Sequence, residues 1–405
     1  MQTTEQNRLP ASENLAPVKT PLRLTGELLF LLAGFAALGA LATNIILPAF
    51  PAMAGDLGAS VTELSATLSS FFLAFALGQL FVGPLSDRFG RRRLVLAGVV
   101  LFVIGSAICA MSGTLSVLIA GRIVQALGVC ATSVLSRAIA RDLFDGEELA
   151  RTLAMIMVAM AAAPGFSPLL GGLFSSFFGW RATFGFVALL AVVLAVHYSA
   201  RLGETHSPDS RVKLSVGAIL SSYKQLLLDR RFIAPALSVS LVIGTLYAFF
   251  SMAPAILMDG FGLSSLELGV YFAATVFVVF GAGMMAPRLV RFRGAAFIGR
   301  CGIVAALAGS AGLFIATDSF VLFCLSQTIF LLGMGLVNPL GTAIALQPFA
   351  KQAGTASALL GFLQMSCAAG AITVGASLGL SAYTSFAVVS TGALGASFLV
   401  FLAVK

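Results

Sequence analysis

Residues 78–93 read GQLFVGPLSDRFGRRR, and this stretch decides how the whole chain is interpreted. An apolar run ends in Gly83-Pro84, Asp87 and four arginines follow within seven residues, and apolar sequence then resumes. In a lipid bilayer this order is typical of two membrane helices joined by a very short basic hairpin. The stretch therefore predicts a membrane protein with a charged loop at this position.

A weaker copy of the same pattern lies 203 residues further along the chain, in a register that needs no gap. An internal repeat of this length is typical of transporters that arose by duplication and fusion. We therefore expect two homologous halves. The matched positions are Pro51 and Pro254, Asp56 and Asp259, Gly78 and Gly281, Pro84 and Pro287, and Arg88-Phe89 and Arg291-Phe292.

The composition agrees with a membrane protein. Hydrophobic residues make up 59% of the 405 residues and charged residues 10%, whereas soluble domains carry about 25% charged residues. Because lipid offers no partners for backbone polar groups, we expect helices of about 20 residues as the spanning elements. The predicted fold is an all-α integral membrane protein with twelve transmembrane helices in two pseudo-symmetric six-helix bundles, at residues 28–50, 62–85, 93–112, 115–138, 149–178, 180–200, 232–255, 265–286, 294–315, 318–345, 354–378 and 382–404.

These helices divide the chain into four segments. Residues 1–27 are polar and are predicted to form a cytoplasmic N-terminal tail, and residues 28–200 the first six-helix bundle. Residues 201–231 are rich in Arg, Lys, Ser and Asp and form the linker between the halves, with a surface helix expected around 212–228. Residues 232–405 form the second six-helix bundle.

The basic residues predict the orientation in the membrane. With both termini on one side, that side collects 22 of the 24 Lys and Arg residues, while Arg181 lies opposite and Arg122 lies within a helix. Cytoplasmic loops carry such an excess of positive charge, so both termini are predicted to be cytoplasmic. The same distribution explains the formal net charge of +8 without nucleic-acid binding.

Three motifs carry a resemblance to a known family. The stretch at 78–93 resembles the loop 2–3 signature of the major facilitator superfamily. LPAFPAM at residues 47–53 and PLLGG at residues 168–172, followed by GWR at 179–181, are similar to the bicyclomycin-resistance (Bcr/CflA) branch of its twelve-helix drug–proton antiporters. The resemblance covers about residues 28–404. It implies a secondary active transporter in a bacterial inner membrane.

The resemblance implies a cytoplasmic gate in the loop between helices 2 and 3. In the family, the acidic residue of this loop locks the cytoplasmic ends of the halves together, and the positive N-terminal end of helix 11 near residues 353–355 would be its partner. The alternative is that the arginines only set the topology and Asp87 moderates their repulsion. The second copy has Val290 where Asp87 stands. The gate residues are Gly83, Asp87, Arg88, Gly90 and Arg91.

Arg122 is a charged residue within predicted helix 4. A charge near the middle of a membrane helix costs at least ~2.5 kcal/mol, so we expect this side chain to face protein or water and to have a partner. The resemblance ties this arginine to proton movement, which makes Arg122 the candidate coupling residue. The alternative is that it extends to the outer surface. The corresponding residue of helix 10 is Gln327.

Helix 5 contains a run of small residues and prolines. Small residues let helices approach closely and prolines bend them, which suits a surface where two halves move against each other. The motif of the antiporters has Gly-Pro where this chain has Ser167-Pro168. Helix packing without any role in transport direction is an equal alternative. The motif residues are Pro164, Gly165, Pro168, Gly171 and Gly172.

The resemblance places the substrate between helices 1, 4, 7 and 10. The polar candidates on these helices are Asn44, Gln125, Tyr247 and Asn338. Amides, hydroxyls and aromatic rings suit a neutral or weakly charged amphipathic compound. Each of the sixteen acidic residues maps to a tail, a loop or a helix end, and Asn44 stands where many relatives of the branch have Asp. We therefore expect cations to be poor substrates and proton coupling to run through peripheral groups.

The function predicted is export of drug-like or metabolite molecules by alternating access, with protons as a possible coupling ion. The alternative is an importer or facilitator of a small metabolite without strong proton coupling. No GxxxxGK[ST] loop occurs, and the five cysteines and two histidines are isolated, so we expect no cofactor, no metal site and no enzymatic activity. A channel would need a ring of symmetric subunits. We expect a monomer in the lipid bilayer.

Overall fold

The computed structural model describes residues 24–206, 216–317 and 319–402. In these residues, 12 helices are long and apolar enough to cross a membrane, which confirms the predicted number. Numbered 1 to 12 in chain order, they are Gly26–Leu57, Val61–Phe89, Arg91–Ala110, Leu115–Leu143, Gly146–Phe178, Arg181–Arg201, Arg230–Gly260, Ser265–Arg293, Ala295–Gly312, Phe320–Phe349, Ala353–Ser377 and Ala382–Leu402. Most of the predicted tail lies outside the described residues.

The linker contains one further helix, Val216–Leu228, which is called the linker helix below. The sequence predicts a surface helix here, and all but two of the side chains described for it are exposed or half-buried. Tyr223 and Leu226 are buried in a core cluster with residues of the last six helices. The reason is that the helix is amphipathic, and its apolar face packs against helices 7 and 11.

The hairpin between helices 2 and 3 is as short as the sequence predicts. Helix 2 ends at Phe89 and helix 3 begins at Arg91, so one residue, Gly90, makes the connection. Gly90 has φ of 93°, which a residue with a side chain rarely adopts. Gly294 has φ of 78° and joins helices 8 and 9 in the same way.

Helix 1 is interrupted near its far end. An α-helix over Gly26–Asn44 gives way to a 3-10 segment, Leu47–Ala49, and a second α-helix follows over Phe50–Leu57. Pro48 has no N–H to donate to the carbonyl of Asn44, which accounts for the break. Helix 7 ends in a π-helical segment, Pro254–Gly260, in the part of the second half that aligns with this region.

Helices 2 and 11 and helices 5 and 8 form the main contacts between the first six and the last six helices. Glycines make these contacts close. A Cβ at Gly361 of helix 11 would overlap the side-chain oxygen of Gln79, and a Cβ at Gly165 of helix 5 would overlap Val276 of helix 8. Small residues are the usual means by which membrane helices approach closely. The division into bundles at 28–200 and 232–405 stays a prediction.

A large cavity in the bundle is lined by described residues. It lies at the end where helix 1 begins, helix 12 ends and the linker helix packs, which we call the linker end. Its volume is about 530 Å³. A second hollow, lined by Val61 and Ser251 at the opposite end, has only about 10 Å³. The cavity at the linker end is therefore far larger than this hollow.

Candidate functional site

Arg91 lies at the centre of a charged cluster beside the linker-end cavity. Its Nη1 donates to the carboxylate of Asp87 and to the hydroxyl of Ser86, and its Nε donates to Oδ2 of Asp142 at 3.1 Å. The Arg91 side chain is only 9% exposed. One guanidinium therefore holds two carboxylates, which joins the ends of helices 2 and 4 to the start of helix 3.

The segment after helix 6 folds onto the same cluster. The backbone N–H of Arg91 donates to Oε1 of Glu204 at 2.8 Å, and the hydroxyl of Thr205 donates to Asp142 at 3.1 Å. A carboxylate at the first residue of helix 3 is favoured by the positive end of the helix dipole. Sequence reasoning predicted Asp87 and Arg91 but missed Asp142 and Glu204. Both lie far from the motif in the chain, and the position of Asp142 at a helix end was the one available signal.

The structure brings together only some of the predicted gate residues. Asp87, Gly90 and Arg91 form the hairpin and its ion pair, and Gly83 and Asp87 line the cavity. Arg88 lies outside the cluster, with its guanidinium 5.0 Å from the ring centre of Phe89. Residues 353–355 of helix 11 line the same cavity as Asp87. In this conformation Asp87 is bonded to Arg91, and its lock against helix 11 stays a prediction.

Arg122 is fully buried in the first six helices. Its Nη1 donates to the carbonyl of Ala42 at 3.0 Å and to the side-chain oxygen of Gln125, and its guanidinium lies 4.3 Å from the ring centre of Phe71. Gln125 in turn donates to the hydroxyl of Ser106 at 2.8 Å. Arg122 thus links helices 1, 2, 3 and 4 through neutral partners and the aromatic ring.

This burial contradicts the alternative in which Arg122 reaches the outer surface. The residue is 0% exposed. It lies about 10 Å from the start of its helix, which begins at Leu115. Its Nε and Nη2 have no hydrogen-bond partner among the described residues, and none of the ion pairs found there includes it. Gln327, the corresponding residue of helix 10, is also buried, and its amide atoms have no partner in the described part of the chain.

The glycines of helix 5 lie against helices 1 and 8. A Cβ at Gly171 would overlap the carbonyl of Ile45, and a Cβ at Gly172 would come within 2.8 Å of the carbonyl of Ser265. The hydroxyl of Ser265 donates to the carbonyl of Pro48 at 3.0 Å. Pro164 and Pro168 both lie inside the helix, which continues through them. The motif therefore forms the contact between helix 5, helix 1 and helix 8.

The four predicted cavity residues do not line the linker-end cavity in this conformation. The side-chain oxygen of Gln125 accepts a hydrogen bond from Arg122, and Asn44 donates to the carbonyl of Ala40 of its own helix at 2.8 Å. Both side chains are buried. Tyr247 packs against Phe72 with ring centres 4.4 Å apart. Asn338 is half-buried. A substrate in this cavity would therefore not contact the four predicted residues in the described conformation, and their role in substrate binding stays a prediction.

Residues from helices 2, 4 and 11 and from the linker helix line the cavity instead. The sequence predicted Gly83, Asp87 and Arg91 of this lining as gate residues, but it missed the rest because the substrate was expected between helices 1, 4, 7 and 10. The signal available was the pair of arginines one turn apart at the linker end of helix 4. The polar and charged residues of the lining are Gln79, Ser86, Asp87, Arg91, Arg137, Arg141, Asp142, Ser222, Tyr223, Gln352, Thr355 and Ser357.

Comparison with known proteins decides the family. The family model described as Major Facilitator Superfamily matches residues 32–374. The chain belongs to the Major Facilitator Superfamily. The fold of this major facilitator protein is similar to the crystal structure of a D-xylose-proton symporter, with a TM-score of 0.71, 16% identity, and coverage of 92% of this chain and 96% of the other.

Three curated relatives identify the branch. An uncharacterised transporter of the superfamily, YdgK of Bacillus subtilis, is 32% identical and covers 84% of this chain and 85% of its own. Multidrug resistance protein D of Escherichia coli is 29% identical with the same coverage. The bicyclomycin resistance protein homolog of Haemophilus influenzae is 27% identical over 80% of this chain and 83% of its own. The predicted branch is confirmed, and this major facilitator protein is a secondary transporter.

Proposed function

We propose that this protein exports neutral or anionic amphipathic molecules across a bacterial inner membrane by alternating access. The linker-end cavity carries the proposal, since its volume of about 530 Å³ lies within the range of pockets that hold drug-sized ligands. Relatives named for resistance to several drugs, to chloramphenicol and to bicyclomycin support export as the direction.

The distribution of basic residues supports a cytoplasmic linker end. With that orientation, 22 of the 24 Lys and Arg residues flank the membrane on the cytoplasmic side. The described conformation then has its cavity toward the cytoplasm, where an exporter loads its substrate. Both termini lie in the cytoplasm, and the chain acts as a monomer because one chain supplies both sets of six helices.

Proton coupling, in this proposal, runs through the charged cluster and Arg122. The cluster contains three carboxylates, Asp87, Asp142 and Glu204, around one arginine. Protonation of any of them would weaken its bond to Arg91 and so loosen the ends of helices 2, 3 and 4. Arg122 is a fully buried charge within the first six helices, and it donates to the carbonyl of Ala42, near the break in helix 1.

Counterflow in proteoliposomes tests the function. Purified protein is reconstituted with unlabelled chloramphenicol inside, and uptake of labelled chloramphenicol is measured against protein-free liposomes. We expect transient accumulation and chemically unchanged substrate by mass spectrometry. Accumulation should be stronger when the liposome interior is more acidic than the outside, because protons that leave down their gradient then drive uptake. Absence of counterflow across a panel of neutral and anionic amphipathic compounds would contradict the proposal.

A second candidate is an importer or facilitator of a small metabolite. Asn44 favours it, because an amide at this position cannot carry a proton across the membrane. This candidate would be supported if substrate accumulation did not depend on the pH gradient and if only small polar metabolites showed counterflow.

A further inference from the structure

Two arginines of helix 4, Arg137 and Arg141, line the linker-end cavity one helical turn apart. Residues spaced by four lie on the same face of a helix, so the two positive charges are neighbours. The one hydrogen bond that the described residues offer Arg137 is to the sulfur of Met160, at 3.5 Å, and no ion pair with a described residue includes it. A thioether is a weak acceptor and carries no charge.

The carboxylates nearest in the fold are already engaged elsewhere. Asp142 follows Arg141 directly in sequence, but it accepts from Arg91 and from Thr205. Asp87 also accepts from Arg91. One arginine thus holds both aspartates of the cavity lining, which leaves Arg137 and Arg141 without an ion pair to any described residue. Both arginines keep their charge, since guanidinium groups stay protonated in proteins.

The remaining lining suits the other parts of an amphipathic molecule. Val134, Leu135 and Ala138 lie on helix 4 beside the arginines, and Ile219 and Ala358 line the cavity from the linker helix and helix 11. Apolar walls lower the local dielectric and so strengthen the attraction between a guanidinium and an anion. Arg137 is about 6 Å deeper along helix 4 than Arg141, because the helix ends at Leu143.

We propose that Arg137, with Arg141 nearer the mouth of the cavity, binds the carboxylate of an amphipathic organic acid whose apolar body lies against Leu135, Ile219 and Ala358. The site deepens the proposed function, on which it rests, by naming organic carboxylates as a substrate class. A carboxylate matches the planar donors of a guanidinium and accepts two parallel hydrogen bonds from it. Its charge also relieves the repulsion between the two arginines.

Binding of a matched pair of probes tests this site. The full-length protein in phosphatidylcholine nanodiscs is titrated with 1-naphthoate and with 1-naphthamide, which have the same ring system and differ in charge. We expect tighter binding of naphthoate, a loss of about tenfold to hundredfold for naphthoate in Arg137→Gln, and little change for naphthamide. Arg137→Lys should keep part of the affinity, and R141Q should have a smaller effect than R137Q.

Arg288→Gln is the matched control, because this arginine is exposed at the same end of the bundle and does not line the cavity. Equal affinity of the two probes in the unchanged protein, or equal losses for both in R137Q, would overturn the anion site. Counterflow of chloramphenicol by the unchanged protein tests the proposed function separately, so a failure of the naphthoate result alone would reject the anion site and not the export of neutral compounds. If the unchanged protein shows no counterflow with any compound of the panel, the proposed function itself is rejected.

Discussion

The phenol of Tyr223 on the linker helix donates a hydrogen bond of 2.9 Å to the backbone carbonyl of Leu80 in helix 2. Pro84 lies four residues after Leu80 and has no N–H, so helix 2 itself cannot satisfy this carbonyl. The side chain of Tyr223 belongs to a cluster of the last six helices, while Leu80 lies in the first six. The bond therefore ties the two parts of the chain together at the cavity.

Tyr223→Phe should destabilise the described conformation. Removing the hydroxyl leaves a carbonyl without a partner, at a cost of about 1 kcal/mol, which would lower the population of this conformation about fivefold relative to its alternative. Distances between spin labels at the linker ends of helices 4 and 10 would report the shift. In a Pro84→Ala background, helix 2 regains its own donor, so the same change at Tyr223 should have a smaller effect.

This bond should also be insensitive to pH over the physiological range. Burial raises the pKa of Tyr223 from about 10 to about 12, so the phenol stays protonated and remains a donor. Its contribution is full below pH 10 and is lost as the pH rises toward 12. Spin-label distances that changed between pH 6 and pH 9 in the unchanged protein, and stopped changing in Y223F, would contradict this expectation.

Asp87→Asn tests the gate. If Asp87 locks the cytoplasmic side in the alternative conformation, its neutralisation should reduce transport and raise the population that is open at the linker end. Labelling of Ser222→Cys, in a background where the exposed Cys301 is replaced by serine, would measure that population. Asp142 still holds Arg91 in this variant, so the fold should survive. Unchanged labelling together with unchanged transport would leave Asp87 as a charge balancer.

Arg122 and Gln327 should differ sharply in how replaceable they are. Arg122→Gln removes a fully buried cation that binds the Ala42 carbonyl and Gln125, so we expect coupled transport to be abolished while the protein still inserts in the membrane. Gln327→Ala removes a buried amide without described partners and should be mild. Counterflow and substrate accumulation under a pH gradient measure the two effects separately, and equal tolerance at both positions would exclude a special role for Arg122.

Substitution of a helix 5 glycine can show whether the contact between helices 5 and 8 serves packing alone or also guides the movement of the halves. Gly165→Ala should overlap Val276 of helix 8 and reduce transport. Adding Val276→Ala removes the overlapping methyl group and leaves contacts of 3.0 Å to the Phe272 carbonyl and to the Cβ of residue 276. If the contact serves packing alone, the double variant should recover both thermal stability and transport. If the surface guides the movement of the halves, stability should recover while the transport rate stays low.

The sequence predicted the helices far better than the site. Apolar runs and the single-glycine hairpin at Gly90 are local features, so twelve spans and a charged loop could be read from them. The partners of Arg91 could not, because Asp142 and Glu204 come from distant parts of the chain. The role of Tyr223 also depends on tertiary structure, since only the packed linker helix brings its phenol to the carbonyl that Pro84 leaves free.

Asn44 acts as a hydrogen-bond donor near the break in helix 1. Its amide nitrogen donates to the carbonyl of Ala40 at 2.8 Å and to the hydroxyl of Thr43 at 3.1 Å. Two residues away, the carbonyl of Ala42 accepts from Arg122. A side chain at position 44 is therefore held close to the segment of helix 1 that contacts the buried cation, and the native amide cannot titrate there.

Asn44→Asp should make transport more dependent on pH and should increase transport of lipophilic cations. The new carboxylate would be a titratable group near the segment of helix 1 that contacts Arg122, so its protonation should couple transport to the pH gradient. When ionised, it would also attract a cationic substrate, which the native amide does not. Tetraphenylphosphonium accumulation in proteoliposomes at several pH values would measure both effects, with Thr43→Val as a control for the lost hydrogen bond. Strong native proton antiport of this cation would contradict the assignment of coupling to peripheral groups if it were unaffected by replacing Asp56, Glu63 and Asp87 and by replacing the other two carboxylates of the cluster, Asp142 and Glu204.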